Sequence, residues 1–284
     1  MDDFSGFNIT IVGLGLIGGS YAMSLKKMMP KNIWAIDKDR DTLEAAVKNN
    51  VISEGFTDAE LILPKSDIVI LSLYPKAAID FVRGNMKSFK SGCLITDVCG
   101  IKKDIVTIIN SSLRKDVDFI GGHPMAGKEL SGFISASDSL FFEANYFITP
   151  TNNNSDKNIN LLKSIICALG CKKIISLTPD EHDRIIAYTS HLPHLLAISL
   201  INCLEENSNL NALIGGSFRD ATRVADINSE LWIELINSNK ENALSAIDSF
   251  IYNLNLIKQA IIQENRPVLH DEFNKAKAKR KGIS

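Results

Sequence analysis

The stretch NITIVGLGLIGGSYAMSL, near the start of the chain, constrains the fold more than any other. A short β-branched run leads into a glycine-rich turn, and apolar residues at helical spacing follow the turn. Gly13, Gly15 and Gly18 form the pattern GxGxxG, and Asp37 ends the next predicted strand about 20 residues later. This strand–turn–helix context predicts a dinucleotide-binding βαβ unit.

Each glycine of this turn has a distinct expected role. Gly13 permits the tight turn, Gly15 lets the backbone approach a pyrophosphate, and Gly18 lets the helix pack closely on the strand. The predicted cofactor-binding residues are Gly13, Leu14, Gly15, Leu16, Ile17, Gly18 and Asp37. The alternative is a glycine-rich turn that binds no ligand.

The acidic residue Asp37 favours NAD over NADP. Its carboxylate can accept hydrogen bonds from the adenosine ribose and would repel a 2′-phosphate. Lys38 and Arg40 follow it, and these two cations could hold a phosphate if Asp37 turned away. The sequence therefore predicts NAD and leaves NADP open.

The first half of the chain is predicted to be a doubly wound α/β domain of the Rossmann type. Nearly continuous apolar runs, DIVILSLYP, CLITDV and VDFIGG, are typical of strands in a mostly parallel sheet covered by helices on both faces. NYFITP and KKIISLTP extend the sheet to about residue 178. The segment TPDEHD then opens a helix with a capping box, and no convincing strand follows. Pro193 is expected to kink or break the helical segment that contains it. The predicted domains are a dinucleotide-binding domain, residues 1–178, and an all-α substrate-binding and dimerisation domain, residues 179–284.

Composition excludes several partner classes. A net charge of −2 over 284 residues offers no broad surface for nucleic acid, and the basic end KAKAKRKGIS is interpreted as a solvated tail. Five cysteines without a CxxC pair or a secretory signal favour a reducing, cytoplasmic compartment. No apolar run approaches the roughly 20 residues that cross a bilayer, so no membrane partner is predicted.

The last long predicted helix carries an unusually wide apolar face. Spacings of four and three alternate along Ala243, Ile247, Phe250, Leu254, Ile257 and Ile261. Leu244 and Ile251 widen this seam further. It could be the core of an intrachain bundle or a subunit interface. We expect a homodimer formed through these C-terminal helices, because twofold symmetry is the commonest oligomeric arrangement.

His123 is the leading candidate for catalysis. It follows the predicted strand VDFIGG, and ligands of doubly wound sheets lie outside the carboxyl ends of the strands. A neutral imidazole has a pKa suited to removing a hydroxyl proton near pH 7. The preceding glycine pair is expected to let the backbone approach a ligand, and Pro124 to restrict the conformation of the histidine.

Two further motifs lie in the second half. Arg223, in GGSFRDATR, offers a planar guanidinium that can clamp a substrate carboxylate, although a surface or helix-capping arginine is the alternative. His191 and His194, in SHLPHLLA, could belong to the core, to a substrate pocket or to a metal site. No carboxylate or cysteine completes a ligand set, so no metal is predicted.

Five segments in this order resemble the prephenate dehydrogenase family along nearly the whole chain. They are IVGLGLIGGS, GGHPMAGKELSG, SHLPHLLA, GSFRDATRVA and ELWIELINSNKENAL. The resemblance implies an N-terminal nucleotide-binding domain and a helical dimerisation domain. It also implies NAD-dependent oxidative decarboxylation of prephenate to 4-hydroxyphenylpyruvate in tyrosine biosynthesis, with tyrosine as an inhibitor.

The resemblance also assigns roles to individual residues. His123 matches the histidine that binds the ring hydroxyl and assists proton removal, and Arg223 matches the arginine that binds the side-chain carboxylate. The remaining matches line or border the substrate pocket: His191, His194, Glu129, which can pair with the arginine, and Trp232, associated with the dimeric active site.

Two positions depart from the family pattern. Gly100 stands where many members have a serine that contacts the hydroxyl, so His123 is expected to be oriented by water or by Lys102. Lys128 stands where a small hydroxyl residue is frequent and adds a cation near the pocket mouth.

Three rival functions remain at this point. An arogenate or mixed-specificity dehydrogenase differs only in an amino group where prephenate has a keto group. A β-hydroxyacid dehydrogenase would use a lysine base, for which Lys102 is the candidate. The third hypothesis is a protein that is not an enzyme: a non-catalytic dimer that responds to NAD.

Overall fold

The computed structural model describes residues 3–128, 130–204 and 213–283. One eight-stranded sheet has the order β3-β2-β1-β4-β5-β6-β7-β8. Its strands are β1 (Asn8–Val12), β2 (Asn32–Ile36), β3 (Glu54–Phe56), β4 (Ile68–Leu71), β5 (Leu94–Asp97), β6 (Asp118–Pro124), β7 (Asn145–Thr149) and β8 (Lys173–Ser176). All neighbouring strands are parallel except β6 and β7, so the predicted mostly parallel, doubly wound sheet is confirmed.

Helices cover both faces of the sheet. They are α1 (Leu16–Leu25), α2 (Arg40–Lys48), α3 (Pro75–Gly84), α4 (Lys103–Ser112) and α5 (Asp156–Ala168). Successive strand residues point to opposite faces: in β4, Ile68 and Ile70 enter one apolar core and Val69 and Leu71 enter the other. This two-sided burial explains why the strands read as continuous apolar runs.

The strand order places the candidate residues at one edge of the sheet. β1 lies between β2 and β4, so the chain reverses its direction of winding there, which is where doubly wound folds bind ligands. The turn that follows β1, the loop that follows β5 and the end of β6 all lie at the carboxyl edge of the parallel strands.

After β8 the described residues form helices and turns without a further strand. Its helices are α6 (Pro179–Ile186), α7 (Leu192–Asn202), α8 (Gly216–Thr222), α9 (Ser229–Ser238), α10 (Lys240–Ile262) and α11 (Arg266–Lys281). The predicted capping box is present: the Thr178 hydroxyl accepts from the Glu181 backbone, and the Glu181 carboxylate accepts from the Thr178 backbone.

The expected break at Pro193 is instead a π-helical turn. Residues Ala187–His191 form this turn and join α6 to α7 without interruption. A π turn widens the ring of backbone hydrogen bonds and accommodates a residue without an N–H group. Such turns occur frequently at functional sites.

The resulting continuous helix, Pro179–Asn202, is 24 residues long. It is long and apolar enough, by length and composition, to cross a membrane, and 22% of its most apolar window is buried within the chain. The sequence pattern does not predict this length, because a proline at position 193 indicates a kink or break in the helix. One such helix is weak evidence for a membrane, and its first turns are bound to the nucleotide-binding half, as described below.

Candidate active site

The glycine turn after β1 has the geometry that its sequence predicts. Gly13 has a φ of +91°, and a Cβ there would lie 2.4 Å from the Ser72 carbonyl oxygen. A Cβ on Gly18 would lie 1.9 Å from the Gly13 carbonyl oxygen, so helix and turn touch backbone to backbone. A Cβ on Gly15 would meet nothing within 4 Å, which leaves open space at the N-terminus of α1. That space, facing the unpaired N–H groups of a helix start, fits a pyrophosphate.

Asp37 is fixed against the same turn. One carboxylate oxygen accepts from the Leu14 backbone N–H at 2.7 Å, and the other accepts from the Asp39 N–H at 2.9 Å. A carboxylate has about four acceptor positions, so it can still bind ribose hydroxyls. Binding of NADP would require the Asp37 side chain to point away from the glycine turn, but its two hydrogen bonds hold it against that turn. Lys38 and Arg40 are exposed. These residues fit NAD.

His123 is the first member of a chain of hydrogen-bonded polar groups. Its Nδ1 lies 2.9 Å from Nε2 of His182, and Nδ1 of His182 lies 2.7 Å from a carboxylate oxygen of Asp183. Burial lowers the pKa of His123 well below its ordinary value of 6.5, and the neighbouring His182 lowers it further. Burial also lowers the pKa of His182, against the opposing effect of Asp183. At neutral pH His123 is therefore an uncharged imidazole.

The glycine pair before His123 does not serve ligand access. A Cβ on Gly121 would lie 2.3 Å from the Thr149 hydroxyl, and one on Gly122 would lie 2.6 Å from both the Asp97 carbonyl oxygen and the Tyr146 hydroxyl. Both glycines are buried. They are required because polar atoms of the neighbouring strands fill the space that their side chains would occupy, so the expected role in ligand approach was wrong.

Lys102 cannot act as the lysine base of a β-hydroxyacid dehydrogenase. Its side chain is fully buried and its ammonium group is bonded to Asp97. Asp97 also accepts from the Gly122 N–H at 3.0 Å and the Cys99 N–H at 2.9 Å. The ion pair therefore holds the loop after β5 against β6. The expectation that Lys102 orients His123 was also wrong, because that contact comes from His182.

Gly100 lies beside the other nitrogen of His123. A Cβ on Gly100 would lie 3.9 Å from His123 Nε2, and 3.4 Å from a methyl group of Leu235 on α9. The glycine is thus within reach of the candidate base but contributes no side chain to it.

A second polar group lies in the helical half around His191. Asn239 donates to the backbone carbonyl of Asp183 at 2.8 Å, and its amide nitrogen lies 3.5 Å from His191 Nδ1. His191 Nε2 is buried and has no hydrogen-bond partner among the described residues. Burial lowers the pKa of His191 to about 4. An unpaired buried donor or acceptor is costly, and such an atom is a candidate contact for a ligand.

Trp232 packs against both histidines of the SHLPH motif. Its ring centroid lies 6.0 Å from that of His191, edge to face, and 3.9 Å from that of His194. Nδ1 of His194 lies 2.8 Å from the Ser190 carbonyl oxygen, which can only accept, so this nitrogen carries the proton. The structure thus brings His191, His194 and Trp232 together, as their shared assignment requires.

Two of the remaining predicted residues, Arg223 and Lys128, lie at the surface. Arg223 opens a short 3₁₀ turn, Arg223–Ala225, that packs against α7, and it is exposed. Lys128 is exposed. Glu129 lies outside the described residues.

Two models of one protein family match the chain. "Prephenate dehydrogenase, nucleotide-binding domain" matches residues 21–175, and "Prephenate dehydrogenase, dimerization domain" matches residues 178–275. The chain belongs to the prephenate dehydrogenase family. It is therefore an NAD-dependent oxidoreductase whose family reaction is the oxidative decarboxylation of prephenate.

Individual relatives within and around this family are similar over almost the whole chain. Prephenate dehydrogenase of Bacillus subtilis is 31% identical over 281 residues, which cover 97% of this chain and 76% of the relative. The structure of Aquifex aeolicus prephenate dehydrogenase in complex with hydroxyphenyl propionate and NAD⁺ is 30% identical, with a TM-score of 0.90 and full coverage of both chains. Synechocystis arogenate dehydrogenase is 28% identical, with a TM-score of 0.84 and coverage of 98% of this chain and 100% of that one.

Three polar residues that the structure places around His123 and His191 escaped the sequence pattern: His182, Asp183 and Asn239. The stretch TPDEHD indicates a helix start, and its adjacent His-Asp pair was the available signal. Nothing in the sequence says that this pair lies against His123, which is 59 residues earlier. Asn239, between α9 and α10, carries no motif.

Proposed function

We propose that His123 is the general base for the family reaction at this site. The observation that carries the proposal is the difference between the two ring nitrogens of His123. Nδ1 is hydrogen-bonded to His182, while Nε2 faces the space beside Gly100. The lowered pKa keeps the imidazole neutral and able to take a proton.

The substrate's side-chain carboxylate is assigned to Arg223, whose guanidinium can form paired charged hydrogen bonds. His191, His194, Trp232 and Gly100 are assigned to the walls of the pocket. The unpaired Nε2 of His191 and the packing of both imidazoles on Trp232 support this assignment. Glu129 is assigned to the pocket mouth on the family resemblance alone.

The reaction balances without any group beyond these and the cofactor. The glycine turn and Asp37 would hold NAD, which would supply the hydride acceptor for the ring carbon that carries the hydroxyl. His123 takes the hydroxyl proton at Nε2 as the carbon–oxygen double bond forms. The ring carboxylate then leaves as carbon dioxide, and the electron pair of the broken carbon–carbon bond makes the ring aromatic. His123 returns its proton to the phenolate oxygen, so no net proton is released. Because aromatisation is strongly downhill, the protein mainly positions the substrate and moves this proton.

Arogenate is the second candidate substrate. It differs from prephenate only in having an amino group in place of the side-chain keto group. The similarity to Synechocystis arogenate dehydrogenase, 28% identical over nearly the whole chain, supports it as an alternative. The residues assigned above would contact the ring hydroxyl and a carboxylate, which both substrates share.

A panel of initial rates tests the proposed function. The purified chain is assayed for NADH or NADPH formation with prephenate or arogenate, each with NAD or NADP, and with added tyrosine. We expect the highest kcat/KM with prephenate and NAD, and competition by tyrosine for the same pocket. Faster turnover of arogenate would replace prephenate as substrate, and turnover of neither would leave only the NAD-responsive dimer.

We also propose that two copies of the chain form a homodimer through the C-terminal helices. In α10, Ala243, Ala246 and Ala260 are buried within the chain, but several large apolar side chains along the helix are exposed. The exposed members include Leu244, Ile251, Tyr252, Leu254, Ile261 and Ile262. An exposed apolar face of this length is typical of an interface, and the match to a dimerization domain over residues 178–275 supports a second copy as the occupant.

Sedimentation velocity tests the dimer. We expect twice the mass of one chain for the native protein and a single-chain mass for Ile251→Glu, which places a charge on the exposed apolar face. Asn253→Glu, on the opposite side of α10, is the matched control and should stay dimeric. A native protein that sediments as one chain would contradict the proposal.

The domain division between residues 178 and 179 and a cytoplasmic location are further proposals. The capping box that opens α6 directly after the last strand supports the division. The five cysteines are free, as a reducing compartment requires. Limited proteolysis and cell fractionation test these two assignments.

A further inference from the structure

The hydrogen bonds behind His123 end at a firmly anchored carboxylate. Asp183 accepts from the Lys102 N–H at 2.7 Å and the Lys103 N–H at 2.9 Å, which lie at the start of α4. One of its oxygens also bonds His182. The positive end of a helix favours a negative charge, so this position stabilises Asp183 as a carboxylate. The anchor joins the first helix of the helical half to the nucleotide-binding half.

The positions of the protons follow from this anchor. A carboxylate can only accept, so Nδ1 of His182 carries a proton and donates it to Asp183. His182 is neutral because its pKa is lowered, so its Nε2 has a lone pair and must accept. The nitrogen that donates to it is Nδ1 of His123. The remaining nitrogen of His123, Nε2, therefore carries no proton.

We propose that His182 and Asp183 are positioning residues that hold His123 in the tautomer with a free lone pair on Nε2. The proposal rests on the proposed role of His123 as the base, because only an unprotonated Nε2 can take the hydroxyl proton. Neither His182 nor Asp183 touches the reacting atoms; they act through the imidazole of His123.

The surroundings of His123 leave this task to His182. Gly100 offers no side chain to the ring, and Lys102 is bonded to Asp97 instead. Phe147, paired with His123 across β6 and β7, contacts the rings of both histidines but provides only an apolar wall. Among the described residues, His182 is therefore the side chain that hydrogen-bonds His123.

Two substitutions at one position separate positioning from packing. His182→Leu keeps an apolar filling of similar size and removes the acceptor for His123. His182→Gln keeps an acceptor: the Asp183 carboxylate draws its amide N–H groups, which leaves the amide oxygen for His123. We expect kcat to fall about 10- to 100-fold in His182→Leu, the usual effect of a misplaced catalytic group. Prephenate KM and NAD affinity should change little, and His182→Gln should recover most of the lost kcat. A packing role alone would give both variants the same kcat.

Histidine ¹⁵N NMR measures the tautomer directly and without turnover. The chain has five histidines, and loss of one signal in His123→Asn identifies the resonances of His123. In the native protein we expect the proton on Nδ1 and a bare Nε2. In His182→Leu we expect a population with the proton on Nε2, and in His182→Gln a return to the native pattern.

The outcomes are distinct from those of the rate panel. A proton on Nε2 of His123 in the native protein would overturn the proposal even if prephenate is turned over. The native tautomer with no turnover would instead contradict the proposed function and leave the positioning intact. If a thermal unfolding measurement shows that His182→Leu does not fold, the native protein and His182→Gln still test the proposal. A protonated Nε2 of His123 in the native protein would overturn it. A His182→Gln variant that keeps the native tautomer but loses kcat would also overturn it.

Discussion

His123→Asn should lower kcat by about 10² to 10⁴, the usual contribution of a general base. The asparagine amide can place an N–H group where Nδ1 of His123 lies, so the contact with His182 Nε2 is kept. What the variant lacks is a group at Nε2 that can take a proton. The affinity for NAD should stay near its native value, because the turn at Gly13 and the carboxylate of Asp37 do not touch His123. Single-turnover rates with prephenate and calorimetric titration with NAD measure the two quantities separately.

His270→Asn is the matched control for this variant. His270 is exposed on α11 and its ring contacts only Asn274 in the described hydrogen bonds. The same substitution there should leave kcat unchanged. A native kcat in His123→Asn would remove His123 as the base, and a fall equal to that of the control would point to a general effect of the substitution.

The nucleotide-binding half was predictable from the sequence because its signals are local. Gly13 and Gly18 are fixed by contacts within one strand, one turn and one helix, so their spacing alone shows what they do. The two-sided burial of the strands likewise leaves a direct trace in their apolar runs. The antiparallel β7 had no such trace, because strand direction depends on where the connecting loop leads.

The catalytic constellation was only half visible for the opposite reason. His123 stands out because it ends a strand, but the partner that orients it, His182, comes from another domain of the chain and looks like part of a helix start. The role in ligand approach that the sequence suggested for Gly121 and Gly122 was wrong for the same reason. Their purpose is set by Thr149, Tyr146 and Asp97, which reach them through the tertiary fold.

The buried ion pair of Lys102 with Asp97 shows why residue type alone cannot assign a base. A lysine near a catalytic histidine is a reasonable candidate until its burial is known. Here its ammonium group has a partner, and removing one member of a buried pair typically costs about 3–5 kcal/mol. A variant at this position would therefore report on folding before it reported on catalysis.

Arg223→Ala should raise KM for prephenate by about 10- to 150-fold, because a lost charged hydrogen bond costs about 1.5–3 kcal/mol. The effect on kcat should be small, since the side-chain carboxylate takes no part in the bond changes at the ring. Arg223→Lys should recover only part of the loss, because an ammonium group cannot form the paired contacts of a guanidinium. Arg219→Ala, one turn earlier and also exposed, is the matched control. Steady-state kinetics with NAD held at saturation measure these values.

A pair of inhibitors shows whether the lost contact is to the carboxylate. 3-(4-Hydroxyphenyl)propionate carries the phenol ring and the acid, whereas 4-propylphenol has nearly the same shape without the charge. If Arg223 binds the carboxylate, Arg223→Ala should weaken the acid about as much as it raises KM and should leave the neutral phenol unaffected. Equal weakening of both inhibitors would mean that the variant disturbs the pocket as a whole. An unchanged KM would mean that another cation holds the carboxylate, and the exposed Lys128 would be the next residue to replace.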